Sequence, residues 1–386
     1  MAARKSKAIA APIPGEQARI NGHSGAQVRV RAQTKARGKS KAGSIKSAPS
    51  LTDFTHPVCS AKRIKTEKPF RFHLAGIAYV LWRDRSGAYH CVEDECPHRR
   101  ASLACGHVVQ DAIYCPYHNW RVRGDGQCAS PSDPEVSFAV PRFRVFEHLG
   151  YLWMRRDEAP EPARETLMPA QPGWKFAGTA HVTMNAPLEI VMDNFSENEH
   201  VPWIHAGLGW DEARVASVDF EFEKTDWGSR VVYRAQQRPN LLFRLLLVGT
   251  DDTYINEFHS EFEPLRTTYY ISWEKKDGRG KRPLATASTV YFVPETDGRT
   301  TLHFFFQYRL SALRFLEPIV KRSIPFLAWK EAIDDKRFLE SAMQDASADL
   351  KGMKLRKFDR PIALHRKLLH ERYLRGTKIG AGSAPH

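Results

Sequence analysis

Two short pairs of cysteine and histidine, both within residues 96–120, constrain this chain more than any other feature. The first pair is Cys96 and His98 (C-x-H), the second is Cys115 and His118 (C-x-x-H), and sixteen residues separate them. Each pair places one thiolate and one imidazole within reach of a single metal centre. Tetrahedral zinc also takes two Cys and two His, but zinc-finger pairs usually join Cys with Cys and His with His. The mixed pairs therefore favour another kind of centre.

A mixed pair on each of two loops suits a [2Fe–2S] cluster of the Rieske type, in which two Cys bind one iron and two His bind the other. Cys96 and Cys115 are predicted to hold one iron of this cofactor, and His98 and His118 the other. Neutral imidazole in place of thiolate raises the reduction potential to about −150 to +300 mV, so such a cluster accepts electrons readily.

The residues next to the four ligands extend the pattern. Pro97 and Pro116 follow the two cysteines, and Trp120 closes the segment. Asn119 stands where the chain must turn sharply, and Asn tolerates left-handed backbone better than most residues. The segment resembles the Rieske signature C-P-H-R…C-P-Y-H-x-W, although members of that family commonly have Gly in place of Asn119.

Most of the net charge of +14 comes from the start of the chain. Residues 1–50 hold eleven Lys or Arg, one acid and no aromatic residue. Such a segment cannot bury enough apolar surface to fold, so residues 1–52 are predicted to be a disordered basic tail. An organelle transit peptide is the alternative. Because the charge lies in this tail and no apolar run approaches the ~18 residues of a membrane span, we expect a cytoplasmic protein that binds neither nucleic acid nor membrane.

Two domains are predicted after this tail. Residues 53–157 contain short β-rich runs and turns, which indicates a small antiparallel β domain with both ligand loops at one end. The proline-rich residues 158–175 are predicted to be a linker. Residues 176–375 combine alternating runs, typical of a broad antiparallel sheet with one buried face, with later helical periodicity. Residues 376–386 are predicted to be a flexible C-terminal tail, and the fold class is α+β.

A second set of metal-binding residue types lies in the second domain. His200 and His205 form an H-x4-H pair after an acidic, helical-looking stretch. On a straight helix five residues rotate by about 140°, so the rings would diverge. A kink or π-bulge at Pro202 is therefore predicted to bring them together. Two His and one carboxylate form the facial triad of non-haem Fe(II) oxygenases, and the late helix offers Asp334 and Asp335 for the carboxylate.

The two sets of ligands together resemble the Rieske-type non-haem iron oxygenases over roughly residues 55–375. The resemblance favours Asp335 as the third iron ligand, because the family's ligand lies in a similar acid–Asp–Lys step near the chain end. Asp334 is the alternative, and the weaker candidates are Asp345 and Asp349.

Two further site residues follow from the same resemblance. Glu197 occupies the position at which family members typically have an Asp that links an iron-binding His to a cluster ligand of a neighbouring subunit. Asn194 belongs to a D-N step that matches the family. It is expected to hydrogen-bond a ligand of the iron, with ordinary helix capping as the alternative.

The resemblance implies a small antiparallel β Rieske domain followed by a helix-grip (START/Bet v 1-like) catalytic domain, whose large sheet wraps a helix over a deep pocket. It also implies one [2Fe–2S] cluster and one mononuclear Fe(2+) per subunit of a homotrimer, with O2 and a small molecule as substrates. An NAD(P)H-dependent reductase, a ferredoxin, or both would deliver the electrons, since the chain has no G-x-G-x-x-G nucleotide fingerprint.

The expected function is that of a terminal oxygenase that hydroxylates or oxidatively demethylates a hydrophobic, aromatic or polycyclic small molecule. The chain length and the H-x4-H spacing resemble the short monooxygenase branch. The alternatives are a Rieske electron-transfer protein without catalysis, a ring cis-dihydroxylating dioxygenase, and a zinc-binding module whose basic tail binds nucleic acid. The apolar residues 240–243 and 245–248 are expected to line a lipophilic pocket or to join the sheet core.

Overall fold

A computed structural model of the chain describes residues 50–161, 167–168, 172–205, 209–238, 244, 248–343, 345–346 and 349–382. The predicted basic tail lies outside these residues up to position 49. At its predicted end the structure corrects the boundary, because Leu51 is only 2% exposed and belongs to the main hydrophobic core. Ser50, Leu51 and Thr52 are therefore part of the folded chain.

Eleven short strands form the first part of the described chain, and all their pairings are antiparallel. They form two three-stranded sheets, β1-β11-β10 and β2-β3-β4, and a five-stranded sheet from β5 to β9. The strands are β1 His56–Ser60, β2 Phe70–Leu74, β3 Ile77–Arg83, β4 Tyr89–Glu93, β5 His107–Val109, β6 Ala112–Tyr114, β7 Arg121–Arg123, β8 Gln127–Ala129, β9 Ser137–Ala139, β10 Phe143–His148 and β11 Tyr151–Arg156.

Seven longer strands form one antiparallel sheet in the second part, in the order β12-β18-β17-β16-β15-β14-β13. The strands are β12 Lys175–Met184, β13 Asp219–Lys224, β14 Gly228–Gln236, β15 Thr253–Phe262, β16 Leu265–Glu274, β17 Lys281–Thr296 and β18 Arg299–Leu310. The prediction of a small antiparallel β domain followed by a large antiparallel sheet is confirmed. The predicted linker lies between the end of β11 and the start of β12.

Within the described residues, few α-helices accompany this sheet. They are α1 Leu188–Asn194, α2 Val201–Ile204, α3 Glu317–Ala342 and α4 Arg360–Leu368, which a π-helical turn, Leu369–Leu374, extends. The long helix α3 packs along the edge strand β12 and also contacts α1 and α2. In the part of the chain that the structure describes, no helix is long and apolar enough to cross a membrane.

Strand β15 has a weak sequence signal, and its burial pattern explains why. Every second residue of β15 is buried, as in a strand with one face on a core. Two of the five buried side chains, Asn256 and Ser260, are polar, so they interrupt the apolar alternation that marks such a strand. Ser260 hydrogen-bonds Thr267 of the neighbouring strand at 3.0 Å, which offsets the cost of burying its hydroxyl.

The end of the described chain is packed rather than free, which corrects the predicted flexible tail for residues 376–382. The amide of Gly380 donates to the carbonyl of Ala75 at 3.1 Å, and the amide of Asp297 donates to the carbonyl of Gly380 at 3.0 Å. A Cβ atom on Gly76 would lie 2.6 Å from the Cα of Gly380. Two glycines therefore let the backbones touch here.

A buried ion pair joins α4 to α1. The guanidinium of Arg366 donates to both carboxylate oxygens of Asp193, at 2.8 and 2.6 Å. Next to it, the ring of His365 lies between the hydroxyls of Ser196 and Ser229, at 2.7 and 2.6 Å. These contacts hold the C-terminal helix against the segment that carries the H-x4-H pair.

Replacing Arg366 with Met should destabilise the protein by about 3–5 kcal/mol, because it leaves the carboxylate of Asp193 without its charged partner in a largely buried place. The measurement is the free energy of unfolding in urea. The same change at the exposed Lys367 is the control and should cost less than about 0.5 kcal/mol. Equal stability of the two variants would contradict the assigned role of the ion pair.

Candidate metal centres

The two predicted cluster loops have the same backbone conformation. Arg100 and Asn119, each four residues after a cysteine, are left-handed, with φ of 61° and 55°. Their amides donate to the carbonyls of Cys96 and Cys115, at 2.8 and 3.0 Å. The left-handed backbone expected at Asn119 is confirmed. Arg100 takes the matching position in the first loop, although Arg adopts this conformation less readily than Asn.

Of the four predicted cluster ligands, the two cysteines are buried and the two histidines are at least partly exposed. Cys96 and Cys115 are 1% and 2% exposed. The rings of His98 and His118 lie with their centroids 4.6 Å apart, and His98 is exposed. Burial raises the pKa of Cys96, while the backbone N–H of His98 opposes this shift. The donor set fits a [2Fe–2S] cluster with two thiolates and two imidazoles.

A buried aspartate outside the predicted motif holds the first loop. The carboxylate of Asp94 accepts hydrogen bonds from the amide of Ala104 and the hydroxyl of Ser102, both at 2.7 Å, and pairs with Arg71 at 2.6 Å. Sequence reasoning missed Asp94, because its partners Ser102 and Arg71 lie eight and twenty-three residues away.

Helix α2 brings the two iron-candidate histidines together in a way that differs from the prediction. His200 precedes this single helical turn and His205 follows it. The amide of His205 still donates to the carbonyl of Val201 at 3.0 Å, so the predicted kink or π-bulge at Pro202 is wrong. His205 instead leaves the helix with extended backbone, and the ring centroids of the two histidines are 5.4 Å apart.

Both imidazoles meet the carboxylate of Asp335 on α3. Oδ1 of Asp335 lies 3.5 Å from Nε2 of His200 and 3.3 Å from Nε2 of His205. The side-chain amide of Asn194 donates to the same oxygen at 3.1 Å. All three candidate ligands are within 4.8 Å of one another. Two imidazoles and one carboxylate are the donors of a facial triad, so these residues fit a non-haem iron.

Each of the two histidines also meets a carboxylate at its other ring nitrogen. Oε1 of Glu197 is 2.5 Å from Nδ1 of His200, and Oε2 of Glu331 is 2.8 Å from Nδ1 of His205. Burial opposes the charge of His205, but interactions with Asp335 and Glu331 raise its pKa to about 9. The two carboxylates therefore stabilise positive charge next to His205, as a binding site for a metal cation requires. Sequence reasoning missed Glu331; its signal is the i, i+4 spacing to Asp335 on one helix face.

The other predicted acids are placed differently. Asp334, His205 and Glu331 form a second group of possible metal donors, whose ligand atoms lie within 4.8 Å of one another. Asp334 also forms an ion pair with Arg337 at 3.4 Å. Asp345 and Asp349 join no group of three such donors within the described ranges. The structure thus brings Asp335, and not Asp334, to the Nε2 atoms of both histidines.

A cavity of about 130 Å³ lies beside these residues. Apart from the candidate ligands and their neighbours, its walls are largely apolar, from strands β16 to β18 and helix α3, and include Tyr269, Ile271, Val290, Phe304, Phe306 and Ala328. The amides of Asn198 and Asn256 and the hydroxyl of Ser288 face it as well. The predicted pocket residues 240–243 and 245–247 lie outside the described residues.

Comparisons with known proteins identify both parts of the chain. Residues 54–143 match the model of the Rieske [2Fe-2S] domain, and residues 184–373 match the model of the vanillate O-demethylase oxygenase C-terminal domain. Among solved structures, dicamba monooxygenase bound to 3,6 dichlorosalicylic acid has a TM-score of 0.62 and 19% identity, and the match covers 85% of this chain and 99% of that one. This likeness supports the fold.

Curated relatives agree with the two family models. Chlorophyllide a oxygenase of Chlamydomonas reinhardtii is 31% identical over 42% of this chain and 26% of its own length. The oxygenase component of chloroacetanilide N-alkylformylase of Rhizorhabdus wittichii is 24% identical over 69% of this chain and 78% of its own length. The match spans only 26% to 39% of the length of the first six relatives.

Replacing Asp335 with Asn should remove most of the mononuclear iron, because a neutral amide is a poor ligand for Fe(II), while the cluster stays intact. Iron content and the visible spectrum of the cluster measure the two separately. Asp334→Asn is the matched control and should keep its iron. Loss of iron from the Asp334 variant alone would transfer the assignment to that residue.

Proposed function

This chain belongs to the Rieske-type non-haem iron oxygenases, and we propose that it is a terminal oxygenase that hydroxylates or oxidatively demethylates a hydrophobic, aromatic or polycyclic small molecule. It would use O2 and electrons from NAD(P)H, delivered by a separate reductase, a ferredoxin, or both. The proposal rests on one observation: His200, His205 and Asp335 lie close together beside an apolar cavity, in a chain that also contains the two Cys/His loops.

The proposed ligands divide between two centres. Cys96, His98, Cys115 and His118 hold the [2Fe–2S] cluster, and His200, His205 and Asp335 hold the Fe(II). When bound, the [2Fe–2S] cluster would store electrons and the Fe(II) would activate O2. A protein that only carried electrons would need the cluster alone, so this alternative does not explain why His200, His205 and Asp335 lie together.

The chain's own residues orient the ligands and the substrate. Glu197 and Glu331 set the ring orientation of the two histidines through Nδ1, so both Nε2 atoms face Asp335. Asn194 hydrogen-bonds the oxygen of Asp335 that the histidines approach. The aromatic and aliphatic walls of the cavity exclude water and hold an apolar substrate with its reacting C–H bond near the iron position.

The substrate class rests on the cavity and on the relatives. Its walls offer mainly apolar surface with few polar groups, which suits a hydrophobic group. Its volume of about 130 Å³ lies below the about 300–1,000 Å³ of common ligand sites, so the described walls enclose a single ring rather than a whole polycyclic body. The matching family model is named for an O-demethylase, and one relative for an N-alkylformylase. Both names concern removal of a group from oxygen or nitrogen, so oxidative demethylation is the outcome that these similarities support best.

We further propose a homotrimer in which one subunit's cluster lies beside its neighbour's iron. His98 is exposed, as an electron-transfer contact between subunits requires. The carboxylate of Glu197 already contacts His200, and its side chain remains 13% exposed, so a second imidazole can approach it. Cyclic symmetry would give each subunit one such contact.

Substrate-dependent O2 uptake tests the proposal. The purified chain, supplied with NADH and a generic reductase, should contain about three iron atoms and consume O2 with particular aromatic or polycyclic compounds. Formaldehyde release distinguishes demethylation from hydroxylation. Two iron atoms without O2 uptake would favour the electron carrier, and a colourless zinc protein would exclude both.

Glu197→Gln should leave both metal centres loaded and the cluster reducible, but lower coupled turnover by about 10- to 100-fold. The reason is that the neutral amide no longer stabilises positive charge on the imidazoles it contacts. Glu197→Asp should restore much of the activity, and Glu199→Gln serves as a neighbouring control. Parental turnover in the Gln variant, or activity in a strict monomer, would refute the proposed contact of Glu197 with an imidazole of each of two subunits. Loss of mononuclear iron would instead make Glu197 a ligand.

A further inference from the structure

We propose that the chain binds a small organic anion, an aryl carboxylate or aryl phosphate, in a second cavity between the first β domain and the large sheet. This cavity has a volume of about 780 Å³ and is lined by β1 and β2 on one side and by β12, β17 and β18 on the other. Its volume falls in the range of about 300–1,000 Å³ that is common for ligand sites. It shares no lining residue with the iron cavity.

The charges around this cavity are unbalanced. Four histidines and three arginines line it, against one carboxylate, Glu295. That carboxylate pairs with Arg299 at 2.9 Å, and Asp94 pairs with Arg71 at 2.6 Å. The guanidinium of Arg63 lies 5.1 Å over the ring of Phe70, and it has no carboxylate within ion-pair distance in the described chain. At least one full positive charge is therefore left for a ligand.

Two of the histidines keep a ring nitrogen that can donate to a ligand. Nδ1 of His303 is 2.6 Å from the hydroxyl of Tyr151, which leaves its Nε2. Nε2 of His56, in contrast, already donates to the carbonyl of Leu51 at 2.8 Å, so this neutral ring has no second N–H to offer. Nε2 of His73 is buried and has no hydrogen-bond partner among the described residues. Buried polar atoms of this kind are usually satisfied by protein, water or a ligand.

Burial is the main reason that the pKa of His303 falls to about 3 and that of His56 to about 4, so both imidazoles are neutral at neutral pH. The positive charge available in the cavity is therefore the guanidinium of Arg63. An anion would pair with this guanidinium and accept hydrogen bonds from imidazole N–H groups. A metal ion suits the cavity less well, because none of the groups of three donors within 4.8 Å in the described ranges includes a residue of this cavity.

The rest of the lining indicates the body of the ligand. Phe70, Phe72, Leu74, Met154 and Val293 present aromatic and aliphatic side chains to the same space. A bare inorganic ion would leave this surface unused, whereas an aromatic ring would bury it. Charged groups and apolar surface in one cavity therefore match an anionic group on an aromatic ring.

The test is a calorimetric titration of the full-length, metal-loaded protein with 2-naphthoate, and with the neutral 2-naphthalenemethanol for comparison. We expect one 2-naphthoate per chain with a dissociation constant below about 1 mM, and at least tenfold weaker binding of the alcohol. No saturable binding, or equal binding of both compounds, would overturn the proposal. The measurement needs no turnover, so its result does not depend on whether the chain is an active oxygenase.

Two variants locate the site. Arg63→Gln and His181→Gln change side chains that are not fully buried, so the fold should persist, as the cluster spectrum and the midpoint of thermal unfolding would verify. Each should weaken 2-naphthoate at least tenfold while leaving the alcohol unchanged. Arg85→Gln, an exposed arginine outside the cavity lining, should have no effect. Unchanged affinity in both cavity variants would place the probe elsewhere, the iron cavity included, and refute the assignment.

Discussion

Two carboxylates, one against Nδ1 of each histidine, are the constraint on which the candidate iron site depends. Glu197 and Glu331 occupy these positions, so His200 and His205 direct their Nε2 atoms to the same oxygen of Asp335. An imidazole can rotate about two bonds, and a carboxylate on one nitrogen removes most of that freedom. Because Glu331 and Asp335 are one turn apart on α3, a single helix supplies both the ligand and the group that orients another ligand.

The fold around this site keeps two distant segments in contact. The long helix α3 packs along β12, while α1 and α2 carry Asn194 and the two histidines. The pair of Asp193 and Arg366 ties this second segment to the C-terminal helix. Helix α1, which precedes the H-x4-H segment, therefore contacts both α3 and α4, and α2 contacts α3.

In the first domain, the candidate cluster ligands are partly buried and partly exposed. The cysteines are buried while the imidazole of His98 is exposed and stacks on Trp120, with ring centroids 4.8 Å apart. Two loops of equal conformation produce this arrangement, since each places its cysteine before the turn and its histidine on the outside. Thiolate buried away from water and imidazole at the surface put the electron-exchanging edge of such a cluster outward.

The sequence by itself determined the features that depend on neighbouring residues: the two Cys/His loops and the left-handed Asn119, whose φ is 55°. It also indicated both domains, because strand alternation is a local pattern. The tertiary structure alone decided that Asp335 faces both imidazoles, that Glu331 supports His205, and that the last described residues pack on Ala75. These contacts join residues more than a hundred positions apart, so they depend on how α3 docks on the sheet and on the approach of two glycine backbones, which no short sequence pattern encodes.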